Sequence, residues 1–370
     1  MLKEKIIRRI KEEGPITFEQ FMGMALYDPE FGYYSASPVR IGREGDFYTT
    51  SHLHPVFGAM IGKQIEEMWE IMGRPHDFKV IEMGAGEGYL CRDMLEFLKD
   101  REFYDSLQYI IIEINQELLS NQKRILSGFS EKIRWCNSLT EMSYVVGCIF
   151  SNELLDAFPV HLIQMEEEMK EIYVVFDGKD LKEKSGTLSR HEISEYFKDI
   201  AVEFEEGYRT EVNLHLRGWL KDINMVLREG FIFTIDYGHS DREYFSEDRN
   251  RGTLMCYYKH QVNEDPYKNI GKQDITAHVN FSSVKKWGEE IGFRTIGYCS
   301  QGMFLLSLGL DAEIEKLASG SKDYLFEIAR IKKIIMPQGM GESHKVLVQY
   351  KGNKCFKLKG FKMSDRVHTL

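Results

Sequence analysis

Residues 78–88 read Phe78-Lys-Val-Ile-Glu-Met-Gly-Ala-Gly-Glu-Gly88, and this stretch decides the fold. Its first half predicts a short buried strand over residues 79–82, and the helical pattern of residues 89–98 follows at once. A strand, a glycine turn and a helix in this order form a ligand site at the carboxyl edge of a parallel sheet. Three glycines at alternate positions let the backbone come close to a ligand. They are Gly84, Gly86 and Gly88.

The acid that precedes this glycine loop, Glu82, bears on which ligand binds there. Dinucleotide sites follow the pattern G-x-G-x-x-G, whereas this loop reads E-x-G-x-G-x-G. A carboxylate at this position repels a pyrophosphate and suits a ligand with a cationic, amino-acid-like part. We therefore expect S-adenosylmethionine, with a nucleotide or a purely structural turn as the alternatives. The predicted contacts are Glu82, Gly84, Ala85, Gly86 and Gly88.

Composition limits the class of protein. The chain has 370 residues, 43% of them hydrophobic, which predicts one large or two small domains with a sizeable core. A net charge of −10 argues against a nonspecific nucleic-acid binder and is compatible with a basic protein substrate. Six scattered cysteines without a C-x-x-C pair predict reduced, mostly buried thiols and a cytoplasmic location. Because no apolar run reaches membrane-spanning length, we expect no membrane insertion.

Further cofactor contacts are predicted where later strands and loops end. The apolar strand over residues 107–115 carries an acid, Glu113, near its end, which suits the hydroxyls of a ribose. The alternative is an acid that starts the next helix. The polar segment over residues 42–51 precedes the long helix that is predicted over residues 55–72. It has more hydroxyl side chains than one helix cap requires. The predicted contacts are Glu113, Ile114, Asn137, Ser138, Leu139, Asp46, Thr49 and Thr50.

Polar side chains also follow the fourth and fifth strands, at the edge where an open α/β sheet places its active site. The fourth strand, residues 145–150, runs into Ser151-Asn-Glu-Leu-Leu-Asp-Ala-Phe-Pro159. Two acids there would hold a guanidinium or take a proton from an attacking nitrogen. The predicted catalytic residues are Asn152, Glu153 and Asp156. The fifth strand ends in candidates for substrate contact, Asp236, Tyr237 and His239.

Two histidine patterns allow more than one interpretation. His239 is either a base with a pKa near neutral or a structural histidine. His52 and His54 form an H-x-H pair, but no third ligand stands at a recognisable spacing, so we predict no metal site. The aromatic loop over residues 27–34 is either a packing cluster or a lid over a substrate.

The remaining pattern divides the chain into four parts. Residues 161–176 alternate apolar and polar side chains, which predicts a two-stranded antiparallel ribbon inside an insertion. The predicted parts are residues 1–75 (N-terminal helices and a cofactor-covering loop), 76–159 (cofactor-binding core), 160–210 (inserted ribbon and helix) and 211–370 (the rest of the core, with a substrate-side insertion over 240–281).

Five segments together resemble the MidA family of class I S-adenosylmethionine-dependent methyltransferases. They are Gly42-Arg-Glu-Gly-Asp-Phe, Glu82-Met-Gly-Ala-Gly-Glu-Gly, Asn152-Glu-Leu-Leu-Asp-Ala-Phe-Pro, Asp236-Tyr-Gly-His and Asp274-Ile-Thr-Ala-His-Val. The resemblance implies an α/β Rossmann-like fold with a seven-stranded, mostly parallel sheet and a reversed C-terminal hairpin. It also implies an N-terminal helical extension, an inserted α+β substrate region, and S-adenosylmethionine at the glycine loop. His278, in the last segment, joins the predicted substrate contacts.

The resemblance further implies methylation of a protein arginine, with symmetric dimethylarginine as the product in the mitochondrial branch of the family. The expected partner is then an arginine-bearing protein, with a respiratory-complex subunit as the candidate, for a monomer or homodimer. The chain departs from the family at Ser51-His52, where Pro-Glu is frequent, and at Asn280, where Asp is frequent. Both departures concern the specificity for the substrate more than the binding of S-adenosylmethionine. The alternatives are methyl transfer to another nitrogen or oxygen, or an assembly protein that binds S-adenosylmethionine without turnover.

Overall fold

The computed structural model describes residues 1–35, 50–198, 200, 202–320 and 323–370. Its strands there are β1 (Ile16–Thr17), β2 (Phe78–Met83), β3 (Leu107–Ile112), β4 (Ile133–Cys136), β5 (Val145–Asn152), β6 (His161–Met165), β7 (Met169–Phe176), β8 (Leu181–Gly186), β9 (Arg209–Val212), β10 (Leu227–His239), β11 (Met255–Tyr258), β12 (Gln261–Asn263), β13 (Asp274–Thr276), β14 (Val279–Asn280), β15 (Arg294–Ser300) and β16 (His344–Lys351).

The helices of the same residues lie between these strands. They are α1 (Leu2–Glu13), α2 (Phe18–Tyr27), α3 (Thr50–Leu53), α4 (Val56–Ile71), α5 (Tyr89–Leu98), α6 (Glu102–Ser106), α7 (Gln116–Ile125), α8 (His191–Lys198), α9 (His215–Val226), α10 (Asp241–Tyr244), α11 (Phe281–Glu290), α12 (Gln301–Ser307), α13 (Leu310–Gly320), α14 (Tyr324–Ile335) and α15 (Met340–Ser343).

The main sheet has the strand order β15-β16-β10-β5-β2-β3-β4, and the short β14 pairs with β10 as an eighth strand. Strands β4, β3, β2, β5 and β10 are mutually parallel, whereas β16 runs antiparallel to both β10 and β15. The predicted α/β Rossmann-like sheet with a reversed C-terminal hairpin is therefore confirmed. The order of the strands in the sheet switches sides at β2: β3 and β4 lie on one side of it, and β5 and β10 lie on the other. A ligand crevice is therefore expected at the carboxyl ends of β2 and β5.

Two apolar layers cover the main sheet, one on each face. One layer packs α4, α5 and α12 against the sheet, and the other packs α9 and α11. The strands read as continuous apolar runs because both of their faces are buried. This double cover holds the strand ends, and the loops that follow them, in a rigid frame around the crevice.

The predicted antiparallel ribbon over residues 161–176 is confirmed as the pair β6–β7, and this pair is part of a larger second sheet. This sheet contains β1, β7, β6 and β9 in that order, and β8 pairs with β7. The ribbon prediction missed β8 because its charged side chains are those of an edge strand whose middle is exposed. It missed β1 because that strand comes from the N-terminus and pairs with residues 173–174. The predicted boundary at residue 210 falls inside β9.

A third, small sheet of order β12-β11-β13 lies within the predicted substrate-side insertion. The cysteines are all free thiols, with Cys355 exposed and the others buried. Within the described residues, no helix combines the length and the apolar character needed to cross a bilayer. The same residues contain no group of three or more side chains arranged to hold a metal ion.

Candidate active site

A cavity of about 240 Å³ lies at the carboxyl ends of β2 and β3, in the expected crevice. Its walls bring together six of the residues that the sequence predicted for the cofactor. Those on the walls are Glu82, Gly84, Ala85, Gly86, Glu113 and Ile114, with Asn152 and Glu153 from the end of β5. We call this space the cofactor cavity.

The three loop glycines have distinct positions. All have positive φ angles, 72° at Gly84, 54° at Gly86 and 85° at Gly88, where L-residues are disfavoured. An added Cβ at Gly86 would meet no atom within 4 Å, so the cavity space beside it is open to a ligand. Gly88 is not among the residues that line the cavity. An added Cβ there would lie 3.2 Å from the Leu126 side chain, which indicates close packing of α5.

The two cofactor-side acids are buried and hydrogen-bonded. Glu82 accepts a bond of 2.6 Å from the Tyr109 hydroxyl, and burial raises the pKa of Glu82 to about 7. Glu113 accepts bonds from the Asn115 N–H at 2.8 Å and from Gln122 Nε2 at 3.0 Å. Burial also raises the pKa of Glu113. Both carboxyls are held in place before a ligand arrives.

The sequence analysis missed Gln122, which joins the glycine loop to the second strand end. Its Nε2 donates to the Gly86 carbonyl at 2.7 Å as well as to Glu113, and its Oε1 accepts from the Trp135 indole at 3.0 Å. Gln122 is fully buried on α7. A glutamine at an apolar position of a helical pattern is the signal that would have found it.

The aromatic loop over residues 27–34 covers the cofactor cavity. Tyr27 and Tyr34 stack with ring centroids 5.6 Å apart, and both line the cavity. The Tyr27 hydroxyl donates to the Ala157 carbonyl at 3.0 Å, and Asn115 Nδ2 donates to the Tyr34 carbonyl at 2.7 Å. The loop therefore packs against the core and also forms part of the ligand wall.

Five predicted cofactor residues that the structure describes are not on this wall, namely Gly88, Thr50, Asn137, Ser138 and Leu139. Asn137, Ser138 and Leu139 follow β4 and make local contacts: the Asn137 N–H donates to Glu141 at 2.8 Å, for example. Asp46 and Thr49 lie outside the described residues. Thr50 is described, and its N–H donates to Glu153 Oε1 at 3.1 Å. That bond places Thr50 beside Glu153 rather than on the wall of the cofactor cavity.

A second cavity, of about 660 Å³, adjoins the first. Tyr34 and Glu153 line both spaces, so Glu153 stands at their junction. We call the second space the acceptor cavity. Its other lining residues include Asp156, Tyr237, Asp274, His278, Lys333 and His344.

Glu153 is held as an anion at this junction. Its carboxylate accepts hydrogen bonds from Thr50 N–H and from Asn152 Nδ2, the latter at 3.3 Å, and His344 lies 3.7 Å away. Burial alone would raise the pKa of Glu153, but His344 and these donors outweigh it and lower the pKa. Its backbone has a φ of 50°, a left-handed conformation that costs about 1–3 kcal/mol in a non-glycine residue. Such strain is typical of functional positions.

Asp156 is held differently, one turn further on. Its carboxyl accepts a hydrogen bond from the Tyr237 hydroxyl. Burial, together with the nearby negative charge of Glu153, raises the pKa of Asp156. Asp156 is therefore easier to protonate than Glu153.

Asp236 lies beneath this turn, away from both cavity walls. Its Oδ2 accepts from the N–H groups of Leu154 and Leu155 at 3.1 and 2.9 Å, and its Oδ1 accepts from the Tyr237 N–H. These bonds satisfy the first amides of the short 3₁₀ turn that carries Asp156. The geometry indicates that Asp236 positions the loop, which differs from the predicted contact with substrate.

The two predicted histidines form a half-buried pair. His278 lines the acceptor cavity, and His239 lies behind it with its Nε2 3.0 Å from His278 Nδ1. Burial lowers the pKa of His239 to about 4 and that of His278 to about 3. Both rings are therefore uncharged at neutral pH, and the predicted near-neutral pKa of His239 does not agree with its burial.

Three buried polar atoms near Glu153 have no hydrogen-bond partner among the described residues. They are Asn152 Oδ1, Asp156 Oδ1 and His344 Nε2. Buried polar atoms in native proteins are nearly always paired, so atoms left unpaired beside a cavity indicate the place of a ligand. Asn152 Oδ1 can only accept, and Asp156 Oδ1 accepts when its carboxyl is ionised. The junction therefore suits a group rich in hydrogen-bond donors.

A family model described as "Putative S-adenosyl-L-methionine-dependent methyltransferase" matches residues 60–299, more than half of the chain. The chain belongs to this methyltransferase family. The resemblance to MidA proteins is thereby confirmed, and the methyltransferase uses S-adenosylmethionine. It is 26% identical to the mitochondrial protein arginine methyltransferase NDUFAF7 homolog of Drosophila melanogaster, over 95% of this chain and 85% of that protein. It is 24% identical to the mitochondrial protein arginine methyltransferase NDUFAF7 of Xenopus laevis, over 93% of this chain and 83% of that protein.

A solved structure agrees with the identity of the cofactor. The methyltransferase superposes with a TM-score of 0.92 on a Burkholderia thailandensis protein crystallised bound to S-adenosyl-homocysteine. The two chains are 31% identical, and the match covers 100% of this chain and 96% of the other. The residues of the cofactor cavity fit the same ligand: an open glycine loop, a ribose-compatible acid and an apolar side chain, Ile114, left 60% exposed at the rim.

Replacing Gly86 by alanine should weaken S-adenosyl-homocysteine binding at least about tenfold. The new methyl group enters the cavity, and the φ of 54° strains an L-residue. Isothermal titration calorimetry measures the change. Gly128→Ala is the matched control, because a Cβ there also meets no atom within 4 Å but the residue is outside the cavity. Equal affinities for the two variants would contradict this placement of the ligand.

Proposed function

We propose that the protein transfers methyl groups to an arginine side chain of a protein substrate. The observation that carries the proposal is the set of unpaired acceptors at the junction of the two cavities, Asn152 Oδ1 and Asp156 Oδ1, beside the Glu153 carboxylate. A guanidinium has five N–H donors in a fixed plane and no acceptor. It is the protein side chain that best satisfies several acceptors at once.

The charge of the acceptor cavity also favours a cationic substrate. Glu153, Asp156 and Asp274 contribute carboxyls to its walls. Lys333 is the one lysine among its described lining residues, which include no arginine, and the burial of His278 keeps that ring neutral. A guanidinium entering this space would therefore meet net negative charge without losing its hydrogen bonds.

The arrangement of side chains suggests how each would act. When bound, S-adenosylmethionine supplies an electrophilic methyl group on a sulfonium. Asn152 lines the cofactor cavity, so its free Oδ1 would accept a hydrogen bond from the attacking nitrogen and direct that nitrogen toward the methyl group. Glu153 would hold the guanidinium from the acceptor side and take the proton that the nitrogen loses as the new N–C bond forms. Asp156 and Tyr237 would complete the walls.

Two of the similar proteins support this choice by name, because both are called protein arginine methyltransferases. Identities of 26% and 24% are compatible with a changed acceptor, so the arginine substrate rests on the acceptor cluster as well. Symmetric dimethylarginine is the product that we propose, on the basis of the family resemblance.

Mass spectrometry of the host proteome with and without this gene tests the proposal. We expect at least one arginine to be dimethylated in the parent strain and unmodified in the deletion strain. Complementation with the wild-type gene should restore the mark, and complementation with Glu153→Gln should not. Loss of a methyl group from lysine or another nucleophile, with all methylarginines retained, would replace arginine by that acceptor. Unchanged methylation at every residue would contradict turnover altogether.

A further inference from the structure

We infer that His344 forms a proton-accepting pair with Glu153, so that the proton released by methyl transfer ends on His344 Nε2. The inference rests on the proposed function, because it concerns the same reaction at the same site. No sequence pattern pointed to His344, which opens β16 on the antiparallel hairpin. It is a positioning residue that acts through Glu153.

The location of His344 is the first observation. Its side chain is buried, it lines the acceptor cavity, and its Nε2 lies 3.7 Å from Glu153 Oε1. This separation is too long for a hydrogen bond but suits an ion pair. A closer approach of about 1 Å would bring the two atoms to hydrogen-bond distance.

The other ring nitrogen defines which atom is free. Nδ1 lies 3.1 Å from Ser343 Oγ, and that hydroxyl is within 3.5 Å of the Gly339 carbonyl, to which it donates its one proton. The Ser343 oxygen therefore accepts from Nδ1–H. In the neutral ring, Nε2 then carries a lone pair and has no partner among the described residues. A lone pair facing a carboxylate leaves room for one more proton between the two groups.

The proton balance of the reaction requires such a group. As a guanidinium nitrogen bonds to the methyl carbon, the carbon–sulfur bond breaks and its electron pair goes to sulfur. The nitrogen gives up one proton, which the Glu153 carboxylate accepts. Transfer of that proton to His344 Nε2 leaves Glu153 negative and His344 positive, as a buried ion pair. Glu153 is then ready to hold the methylated guanidinium.

Other titratable groups also face this ring. Tyr237 on β10 lies against it, with ring centroids 5.5 Å apart. The Asp156 carboxyl, on the turn after β5, and the His278 ring, before β14, interact with it electrostatically. These groups stay in place when Glu153 is changed to glutamine. The variant therefore isolates the contribution of one carboxylate.

Nuclear magnetic resonance of histidine rings tests the pair without a substrate. The His344 ring-nitrogen signals are assigned by their absence from His344→Gln, or from His344→Asn if the first variant does not fold. We expect these signals to move in Glu153→Gln, because the substitution replaces the carboxylate 3.7 Å from His344 Nε2 by a neutral amide. Glu342→Gln is the control that should leave them in place, since this nearby carboxylate pairs with Lys345 and Arg366 instead. His344 signals that are the same in wild type and Glu153→Gln overturn the pair.

Single-turnover kinetics with the methyl acceptor provides the second measurement. His344→Gln should slow transfer about 100-fold at neutral pH, within the usual range for a lost proton acceptor, and the deficit should shrink as pH rises. S-adenosyl-homocysteine affinity should not change, because His344 does not line the cofactor cavity. His191→Gln, an exposed histidine on α8, serves as the unchanged control. A variant with the wild-type rate and pH profile would overturn the role. The magnetic resonance result stands even if the acceptor is not arginine.

Discussion

Glu153→Gln should reduce single-turnover methyl transfer about 1,000-fold while leaving S-adenosyl-homocysteine affinity within about threefold of wild type. Glutamine keeps the size of the side chain and can still accept from the Thr50 N–H, so the loop should stay in place. It removes the negative charge that would hold a guanidinium and the group that would take its proton, and each such loss typically costs 10²–10⁴-fold. Rapid-quench measurement of methyl transfer gives the rate, and calorimetry gives the affinity.

The comparison needs a glutamate whose charge does not face the site. Glu206→Gln serves, because residue 206 is exposed in the loop before β9. That variant should match wild type in both measurements. A Glu153→Gln enzyme with full activity on a verified acceptor would show that neither the charge nor the proton acceptor is needed. A loss of cofactor affinity equal to the loss of rate would instead indicate that Glu153 acts in the cofactor cavity.

Gly147→Ala should lower the free energy of unfolding by more than about 3 kcal/mol and prevent accumulation of folded protein. Gly147 lies in β5, in the middle of the main sheet, opposite Lys79 of β2. An added Cβ would lie 1.9 Å from the Lys79 carbonyl oxygen, far inside any permitted contact. Neighbouring backbone cannot move aside without breaking the β2–β5 pairing that creates the ligand crevice. Effects of this size come from a short set of causes, of which backbone collision in a core is one.

Chemical denaturation followed by circular dichroism measures this effect. The matched control is Gly218→Ala, since Gly218 lies inside helix α9, is exposed, and has no atom within 4 Å of an added Cβ. Alanine at an exposed position inside a helix should stabilise the protein by up to about 1 kcal/mol. Both substitutions add the same methyl group. A loss of stability at Gly147 and a gain at Gly218 would therefore show that the backbone collision causes the loss. A Gly147→Ala protein with wild-type stability would contradict the close strand approach.

The cofactor side of the site was largely predictable because it depends on order along the chain. Glu82, Gly84 and Gly86 lie within five residues of one another, and a parallel strand must deliver them together to its carboxyl end. Glu113 follows from the next strand by the same rule. The predicted adenine contacts at residues 137–139 relied on loop conformation instead, and the structure leaves them outside the cavity wall.

The acceptor side was only partly predictable. Asn152, Glu153 and Asp156 stand together in the sequence, and the structure places all three around the junction of the two cavities. Their separate properties were not visible: Glu153 becomes an anion through donors from distant segments, whereas burial raises the pKa of Asp156. Asp236 was read as a substrate contact, but the backbone amides of the turn occupy its carboxylate.

The sequence by itself determined the class of protein: a strand, a glycine loop and a helix that bind S-adenosylmethionine, followed by acids at the ends of later strands. The order of residues along the chain was sufficient for this prediction, because parallel strands bring their carboxyl ends to the same edge of the sheet. Only the tertiary structure decided what surrounds the methyl acceptor. Tyr34 meets Asp274 across 240 positions, and an antiparallel hairpin brings His344 to Glu153. Such pairings follow from the packing of the whole chain, and residue spacing along the sequence does not encode them.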